Sequence, residues 1–306
     1  MMRRGLRAPV VALLVALAAG LAVLAVLGAR ALLADPAASA FFAAHPAVMA
    51  PPPGAPEGFS LGLVVTHALN AVLLAPIAVS GLRVWRGRRP PAFVTRTLGP
   101  RSADRPPRRL SVHVWWHLVL DSLWVLNGLA YLVLLFASGQ WLRLVPTSLE
   151  IVPSALTALV EYVAFAWPEH DGWVAYNGLQ QLSYAATVFL AAPLAILTGL
   201  RLSPLVRPGG RIARLVSETL ARRVHLLTLG YLALFTLVHV GLVLTTGALR
   251  NLDGMFAARH DESPLGLVIA ALVTAVAVGL ALLAPRAQAR IAEALGQDVR
   301  RMPPAA

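Results

Sequence analysis

Long apolar runs dominate the pattern of hydrophobic and polar positions along this chain of 306 residues. A helix needs about 20 consecutive, mostly apolar residues to cross a membrane, and six runs of the sequence reach that length. Polar segments rich in arginine or proline separate them. The pattern predicts an all-α integral membrane protein, whose six transmembrane helices fall near residues 9–33, 59–82, 112–140, 174–200, 224–249 and 264–284.

Composition supports a membrane protein and narrows the chemistry. Only 13% of the residues are charged, whereas a soluble domain carries about 25%. The chain has no cysteine, which excludes disulfides, thiolate metal sites, iron–sulfur clusters and cysteine-linked haem. The net charge of +12 is not accompanied by a zinc finger or a basic recognition helix. No nucleic-acid partner is therefore expected.

The arginines explain the basic charge because they gather on alternate sides of the apolar runs. Three precede the first run, nine lie in 83–111, six in 201–223 and four after residue 285, while the opposite loops hold four. Positive loops face the cytoplasm, so the count predicts a multi-pass plasma-membrane protein with both termini cytoplasmic and lipid headgroups beside the arginines. A cleaved signal peptide is the alternative for the first run, but its length exceeds the usual 7–15 apolar residues.

Three consecutive segments are predicted. Residues 1–58 form the first helix and a proline-rich outer loop that we expect to be irregular. Residues 59–250 form a core of four helices, and 251–306 form the last helix and a basic cytoplasmic tail. Within the core, residues 151–166 have a helical apolar pattern. It indicates a surface helix, a docking surface or a packed loop.

Four histidines lie inside the predicted spans, where ionisable groups are costly and are functional candidates by default. His225 and His239 are fourteen residues apart on one helix, which separates them by about 21 Å along the axis and places both near one face. The other two, His67 and His117, lie on the first two core helices. One helix thus offers imidazoles at two depths, and each needs a partner at its own level.

Distances from membrane-edge arginines suggest the outer partner. His239 follows Arg223 by 16 residues, and His67 precedes Arg83 by 16 residues. Because both arginines mark the cytoplasmic edge, the two histidines have the same height above it. The sequence therefore predicts a His67/His239 pair toward the outside.

Distances from the arginines at the outer edge suggest the inner pair. His225 precedes Arg250 by 25 residues, and His117 precedes Arg143 by 26. These two histidines form the predicted inner pair. His113 is the rival of His117, because it lies one turn earlier on the same face and fits better when depth is measured from the inner edge. A zinc site built on His113 and His117 is a further alternative, but it needs a third ligand.

Two histidine pairs stacked through four helices suit two bis-histidine haem groups. Helix bundles hold such cofactors between facing helices, and haem iron accepts axial histidine. The sequence therefore predicts a four-helix di-haem core with iron ligands His67, His239, His117 and His225. A haem-free transporter or membrane anchor, in which the histidines carry protons or pack, is the alternative.

Several neighbours are candidates for supporting roles. Asp121, one turn after His117, is expected either to accept the ligand's other N–H group or to relay a proton. A hydrated carboxylate at the membrane edge is the plainer interpretation. Glycines in Ser–Gly and Thr–Gly pairs suit a haem plane against the backbone, and they also end helices routinely. The expected cofactor-binding residues are Gly81, Gly128 and Gly199, with Arg109, Arg222 and Arg223 for propionates or, equally, anionic lipid.

The four core helices resemble the bacterial cytochrome b561 and nickel-hydrogenase b-type cytochrome family over about residues 60–250. That family has one histidine on each of the first two helices and two, fourteen apart, on the fourth, and this pattern matches the four histidines above. The resemblance rests on the stretches THALNAVLLAPIAVSGLRV, WWHLVLDSLWVLNGLAYL, YNGLQQLSYAATVFLAAPLAILTGLRLSP and ARRVHLLTLGYLALFTLVHVGLVLTTG.

The resemblance implies an electron-transfer subunit of a respiratory oxidoreductase rather than a stand-alone enzyme. It implies two haem b groups, a membrane quinone and a periplasmic or outer-surface redox partner, for which a molybdenum oxidoreductase is the candidate. An enzyme that oxidises quinol or reduces ferric iron alone is a third possibility. This chain departs from four-helix members by a helix before the core and another after it, and its first core helix runs from outside to inside. It is most similar to a six-helix subgroup with cytochrome b/b6 domains.

Overall fold

The computed structural model describes residues 8–87, 89–95, 109–167, 171–204, 206, 209–210 and 214–302. Six helices within these ranges are long and apolar enough to cross a membrane: Ala8–Ala34, Leu61–Trp85, Val112–Ala137, Gly178–Leu202, Glu218–Thr245 and Leu265–Leu282. The prediction of an all-α membrane protein with six spanning helices is confirmed, and the chain is a multi-pass membrane protein. Part of the arginine-rich segment 83–111 lies outside the described residues.

The elements are numbered in chain order. The helices are α1 (Ala8–Ala34), α2 (Pro36–Ala44), α3 (Leu61–Trp85), α4 (Val112–Ala137), α5 (Trp141–Leu144), α6 (Ile151–Ala164), α7 (Gly178–Ala186), α8 (Ala192–Leu202), α9 (Glu218–Thr245), α10 (Ala248–Ala257), α11 (Leu265–Leu282) and α12 (Pro285–Ala294). A π-helical turn, Thr187–Ala191, lies between α7 and α8. The strands are β1 (Ala92–Thr95), β2 (Arg109–Ser111) and β3 (Asp298–Arg301).

Serine side chains set the starting points of three spanning helices. Ser60 caps α3, Ser111 caps α4 and Ser217 caps α9, and each hydroxyl accepts a hydrogen bond from the backbone three residues later. An N-cap hydroxyl satisfies one of the donors that a helix start leaves unpaired. The apolar runs thus become helices whose first turns are defined by a local polar residue.

The chain forms two compact units that interleave in sequence. The first comprises Met1–Glu57 and Gly139–Leu190, and the second comprises Gly58–Ser138 and Ala191–Ala306. The three consecutive segments drawn from the sequence stay a prediction.

The first unit is built on α1, α6 and α7. Helix α6 packs on α1 and α7, and Arg30 Nε donates a hydrogen bond to the Ala164 carbonyl at 3.0 Å. A Cβ on Gly178 would lie 2.6 Å from the Ala155 backbone nitrogen, so only glycine allows this approach of α7 to α6. The helical pattern of 151–166 is confirmed by α6.

The outer loop before α3 is more regular than the sequence suggested. It contains α2, which begins at Pro36 with the Asp35 side chain accepting a hydrogen bond from the Ala37 backbone. Proline at a first helical position and aspartate before it both favour a helix start. The expectation of an irregular loop was therefore wrong for residues 36–44.

The second unit contains the spanning helices α3, α4, α9 and α11, and α8, which is the second part of the span Gly178–Leu202. Backbone packing is close between α3 and α4, between α3 and α11, and between α8 and α9. Helix α10 packs on α11 and also contacts α3 and α9. The pair α3/α4 and the pair α8/α9 approach each other less closely, which leaves the space between them to side chains.

A small antiparallel sheet in the second unit was not predicted. Strand β1 lies between β2 and β3, and Val94 faces Leu110 on one side and Val299 on the other. Its buried residues pack with Trp115 and Trp116 of α4 and Ala292 of α12. Strands of three or four residues carry almost no periodic signal, and β3 pairs with a strand about two hundred residues earlier. The sequence pattern therefore could not find it.

A buried carboxylate fixes the bend between α10 and α11. Asp253 is 0% exposed, and it accepts hydrogen bonds from Ser263 Oγ at 2.7 Å and from the Gly266 backbone at 3.2 Å. A hydrogen bond shared with Asp261, followed by those from Ser263 and Gly266, lowers the pKa of Asp253 from 3.8 to about 2. The side chain thus serves as the N-terminal cap of α11.

Asparagine at position 253 is expected to lower the thermal stability of the purified protein at neutral pH, because the charged cap is lost. A carboxylate whose pKa is depressed on folding stabilises the fold above the unfolded pKa. The difference in Tm between wild type and Asp253→Asn is therefore expected to be full above pH 3.8 and to shrink as the pH falls toward 2. Equal Tm values at pH 7 would contradict this assignment.

Candidate functional site: two histidine pairs

The structure brings the histidines together in the two pairs that were predicted from their depths in the membrane. His67 of α3 lies beside His239 of α9, with ring centroids 6.4 Å apart and planes at 69°. His117 of α4 lies beside His225 of α9, with centroids 6.5 Å apart and planes at 90°. The three helices α3, α4 and α9 all belong to the second unit. The two pairs therefore bridge the space between α3/α4 and α8/α9.

The centroid distances fit one metal ion between each pair. Imidazole nitrogen binds transition metals at about 2.0–2.1 Å and lies roughly 1.1 Å from its ring centre, so an ion between two opposed imidazoles separates the centroids by about 6.3 Å. Both observed separations are close to this value. The arrangement suits an ion with two protein ligands on opposite sides, as in bis-histidine haem.

His117, and not His113, is the ring beside His225. His113 is buried in the same helix, and its Nδ1 has no hydrogen-bond partner in the described residues. Within those residues, no three histidine or carboxylate side chains gather around one point. The third ligand that a zinc site on His113 and His117 needs is not among them.

A serine hydroxyl holds the ring of His117. Ser80 Oγ of α3 lies 2.9 Å from His117 Nδ1 and 2.9 Å from the Ile77 carbonyl. A carbonyl only accepts, so we assign the single hydroxyl proton to Ile77, and Oγ then accepts from Nδ1–H. This choice leaves Nε2 of His117 without a proton, which is the form that binds a metal.

A threonine repeats the arrangement at His225. Thr198 Oγ1 of α8 lies 2.9 Å from His225 Nδ1, and it donates to the Leu194 carbonyl at 2.5 Å. By the same assignment, Nδ1 of His225 carries the proton and Nε2 of His225 carries none. Both residues of the inner pair are thus held through Nδ1 by a hydroxyl on the preceding helix.

The two glycines after these hydroxyls lie beside the histidine rings. A Cβ on Gly81 would lie 3.1 Å from His117 Cε1, and a Cβ on Gly199 would lie 3.4 Å from His225 Cε1. Each glycine makes room for a histidine ring, and contact of Gly81 and Gly199 with a macrocycle stays a prediction. The other two pairs are Ser138–Gly139 and Thr246–Gly247. Their glycines have positive φ where a helix ends or is interrupted, which is the ordinary role of glycine at a helix end.

Gly128 and Gly230 face open space. Nothing described lies within 4 Å of a Cβ built on either residue, so neither glycine is needed for close packing between the described helices of this chain. Small residues of that kind are used where backbones approach. That Gly128 adjoins a cofactor stays a prediction.

Asp121 lies near Nε2 of His117 and not near Nδ1. Its Oδ2 is 3.4 Å from His117 Nε2, while the acceptor of the Nδ1 proton is Ser80. The lone pair of Nε2 then faces a carboxylate, and a proton or a metal ion is needed to make that contact favourable. Both roles expected for Asp121, acceptor of the ligand's other N–H group and proton relay, stay predictions.

Aromatic rings pack against the outer pair. Phe235 stacks on His239 with centroids 5.5 Å apart and planes at 5°. Phe256 of α10 meets His67 edge-on at 5.6 Å, and Nδ1 of His67 is buried without a hydrogen-bond partner in the described residues. Burying an imidazole whose hydrogen-bonding capacity is not filled is costly. Metal binding at one of its nitrogens would offset part of that cost.

The arginines expected near haem propionates have partners or positions of their own. Arg109 is exposed in β2, opposite Thr95. Arg222 pairs with Glu218 at 2.8 Å, and Arg223 is exposed on α9. Arg83, at the end of α3, donates to two carbonyls at the end of α11. Propionate binding by Arg109, Arg222 and Arg223 stays a prediction.

Polar links between α3 and α4 were missed by the sequence reasoning. Trp124 Nε1 donates to Asn70 Oδ1 at 2.6 Å, and Asn127 Nδ2 donates to the Thr66 carbonyl at 2.9 Å. Thr66 precedes His67, so the second link helps to hold the outer histidine. The signal in the sequence was the amide side chains of Asn70 and Asn127 inside apolar spans, because polar groups there hydrogen-bond across helices.

Comparison with known proteins adds no identification. No family model, no curated protein and no solved structure matches this chain.

Proposed function

We propose that the protein is a membrane b-type cytochrome that carries electrons through two bis-histidine haem groups. The observation that carries the proposal is the pair of imidazole–imidazole separations, 6.4 and 6.5 Å, both close to the value for one shared metal ion. Haem iron held in this way supplies reversible one-electron transfer.

The residues of this chain have defined tasks in the proposal. His67 and His239 hold the outer group, and His117 and His225 hold the inner one. The fourteen-residue spacing on α9 separates the two levels by about 21 Å, so electrons cross most of the bilayer along one helix. Helices α3, α4, α8 and α9 fix the ligands and exclude water from them.

The proposed context follows the arginine distribution and the family resemblance. Both termini are cytoplasmic in the plasma membrane, and the chain belongs with the cytochrome b561 and nickel-hydrogenase cytochromes. It exchanges electrons between membrane quinone and an outer-surface oxidoreductase, with a molybdenum enzyme as the candidate. Arg109, Arg222 and Arg223 are the proposed propionate partners, and Gly128 is proposed to adjoin a macrocycle.

A second candidate function rests on the contact of His117 with Asp121. The 3.4 Å approach of Nε2 to a carboxylate within a spanning helix also suits a proton shared between the two groups. In this alternative the chain is a haem-free transporter or anchor subunit, and His117 handles protons instead of iron.

A haem count separates the two functions. The full chain is expressed with ample haem precursor, purified in detergent and assayed by pyridine haemochrome against protein concentration. Two b haems per chain are expected. One haem would show that one pair does not ligate iron. No haem would refute the cytochrome and favour the proton-handling alternative, for which Asp121→Asn then becomes the decisive variant.

A further inference from the structure

The inner histidine pair is supported by the same device twice. On α3 and on α8, a hydroxyl residue one position before a glycine contacts Nδ1 of a histidine on the next spanning helix, at 2.9 Å in both cases. Both hydroxyls are buried, Ser80 at 2% and Thr198 at 8% exposure. Both also bond a backbone carbonyl of their own helix. The repetition places two matched groups around one pair of rings.

We propose that Ser80 and Thr198 are positioning residues that fix the tautomer and ring orientation of His117 and His225 and thereby lower the reduction potential of the inner haem. The inference rests on the proposed function, because it concerns the ligands of that haem. It assigns to two hydroxyls a task that the iron ligands cannot perform for themselves.

The two hydroxyls determine where the Nδ1 protons of the rings go. Each hydroxyl donates its one proton to a carbonyl of its own helix, which leaves the oxygen as the acceptor for Nδ1–H. A ligating histidine that donates its other N–H is a more basic ligand with a fixed ring. A more basic ligand stabilises the ferric state relative to the ferrous state, so the hydrogen bond lowers the potential.

The glycines complete the arrangement. A Cβ at position 81 or 199 would press on the same two rings, at 3.1 and 3.4 Å. Each ring is therefore held by a hydroxyl at Nδ1 and by a flat helix surface at Cε1. In the outer pair, Nδ1 of His67 has no hydrogen-bond partner among the described residues, so that haem gives an internal reference within the same molecule.

Thr198 permits the sharper test, because two substitutions separate the hydroxyl from the methyl group. Thr198→Val keeps the shape and removes the hydroxyl, and Thr198→Ser keeps the hydroxyl and removes the methyl. Thr274→Val is the control, since Thr274 Oγ1 bonds only the Ala270 carbonyl, at 2.8 Å, on α11. Ser80→Ala tests the other half of the pair.

The readout is an equilibrium redox titration of the two b haems in purified protein. The inner haem is identified as the component that His117→Ala removes. Thr198→Val and Ser80→Ala are each expected to shift its ferric/ferrous equilibrium two- to tenfold toward the ferrous form, which raises its potential by about 18 to 59 mV for one electron. Thr198→Ser and Thr274→Val are expected to leave the potential of the inner haem unchanged. The potential of the outer haem is expected to be the same in all four variants.

A second readout reports geometry. The ferric low-spin EPR spectrum depends on the angle between the imidazole planes, which is 90° for the inner pair. Thr198→Val is expected to broaden or shift the inner signal, and Thr198→Ser is expected to preserve it.

Each outcome decides the inference. Loss of the inner haem in Thr198→Val with retention in Thr198→Ser also supports it, because the hydroxyl is then required for ligation. Two haems at unchanged potentials and with unchanged spectra in Thr198→Val and Ser80→Ala would overturn it and leave the proposed function intact. Loss of the haem in both Thr198 variants would overturn it in favour of packing by the methyl group. Absence of haem from wild type would refute the proposed function itself.

Discussion

Alanine at His239 is expected to reduce the haem content from two groups to one per chain. His239 is the histidine beside His67 in the outer pair. After its removal the haem has no second imidazole at that depth within the described residues. His67→Ala is expected to remove the same haem. The measurement is pyridine haemochrome per protein, followed by redox titration to show that both variants lose the same component.

Matched variants make this expectation specific. His117→Ala and His225→Ala are expected to remove the other haem, because their rings form the inner pair. His113→Ala is expected to keep both haems, although His113 lies on the same face of α4 and is buried. Loss of a haem in His113→Ala but not in His117→Ala would reverse the assignment of the inner ligand. Loss of both haems in every variant would indicate collapse of the fold rather than removal of a ligand.

Alanine at Gly266 is expected to destabilise the protein severely. A Cβ on Gly266 would lie 2.3 Å from Asp253 Cα and 2.3 Å from the Leu252 carbonyl oxygen. Both are backbone atoms, so no rotamer change relieves the clash. Overpacking costs about 1–3 kcal/mol where side chains can adjust, and here we expect at least about 3 kcal/mol. The measurement is the Tm and the monodisperse yield of the detergent-purified protein.

The consequence of Gly266→Ala reaches the outer histidine. The contact of Gly266 with Asp253 closes the bend between α10 and α11, and α10 carries Phe256, which meets His67 at 5.6 Å. Any variant protein that is recovered is therefore expected to lose the outer haem before the inner one.

Gly279→Ala is the matched control on the same helix. Nothing described lies within 4 Å of a Cβ on Gly279, and alanine is the better helix former by about 0.5–1 kcal/mol. Its Tm is expected to be equal to or above that of wild type. Equal stability of the two variants would show that α10 and α11 do not approach each other as described.

The sequence determined the spanning helices and the pairing of the histidines. The spans follow from apolar length alone. Five of the six predicted runs begin within four residues of the start of the corresponding helix, and the run at 224–249 begins inside a helix that starts at Glu218. The pairing follows because the rise of a helix is fixed by its covalent geometry and hydrogen bonds. Two histidines fourteen residues apart on α9 are therefore at defined depths before any tertiary contact is known.

The tertiary structure decided what lies next to each ring. Ser80 and Thr198 were visible in the sequence as hydroxyls before glycines, but the same pattern precedes Gly139, which ends a helix with a φ of 73°. Which face of α3 and α8 turns toward a histidine depends on the rotation of one helix against another. That rotation is set by packing between residues distant in the chain, and local periodicity does not contain it.

The sheet and the Asp253 cap were decided in the same way. Strand β3 pairs with β1 across most of the chain, and Asp253 bonds residues ten and thirteen positions later. Ser80 of the neighbouring helix, and not Asp121 on the next turn of the same helix, reaches Nδ1 of His117. Depth along a helix is a local property that the sequence sets, whereas the partner of a side chain is a property of two helices, which only their packing defines.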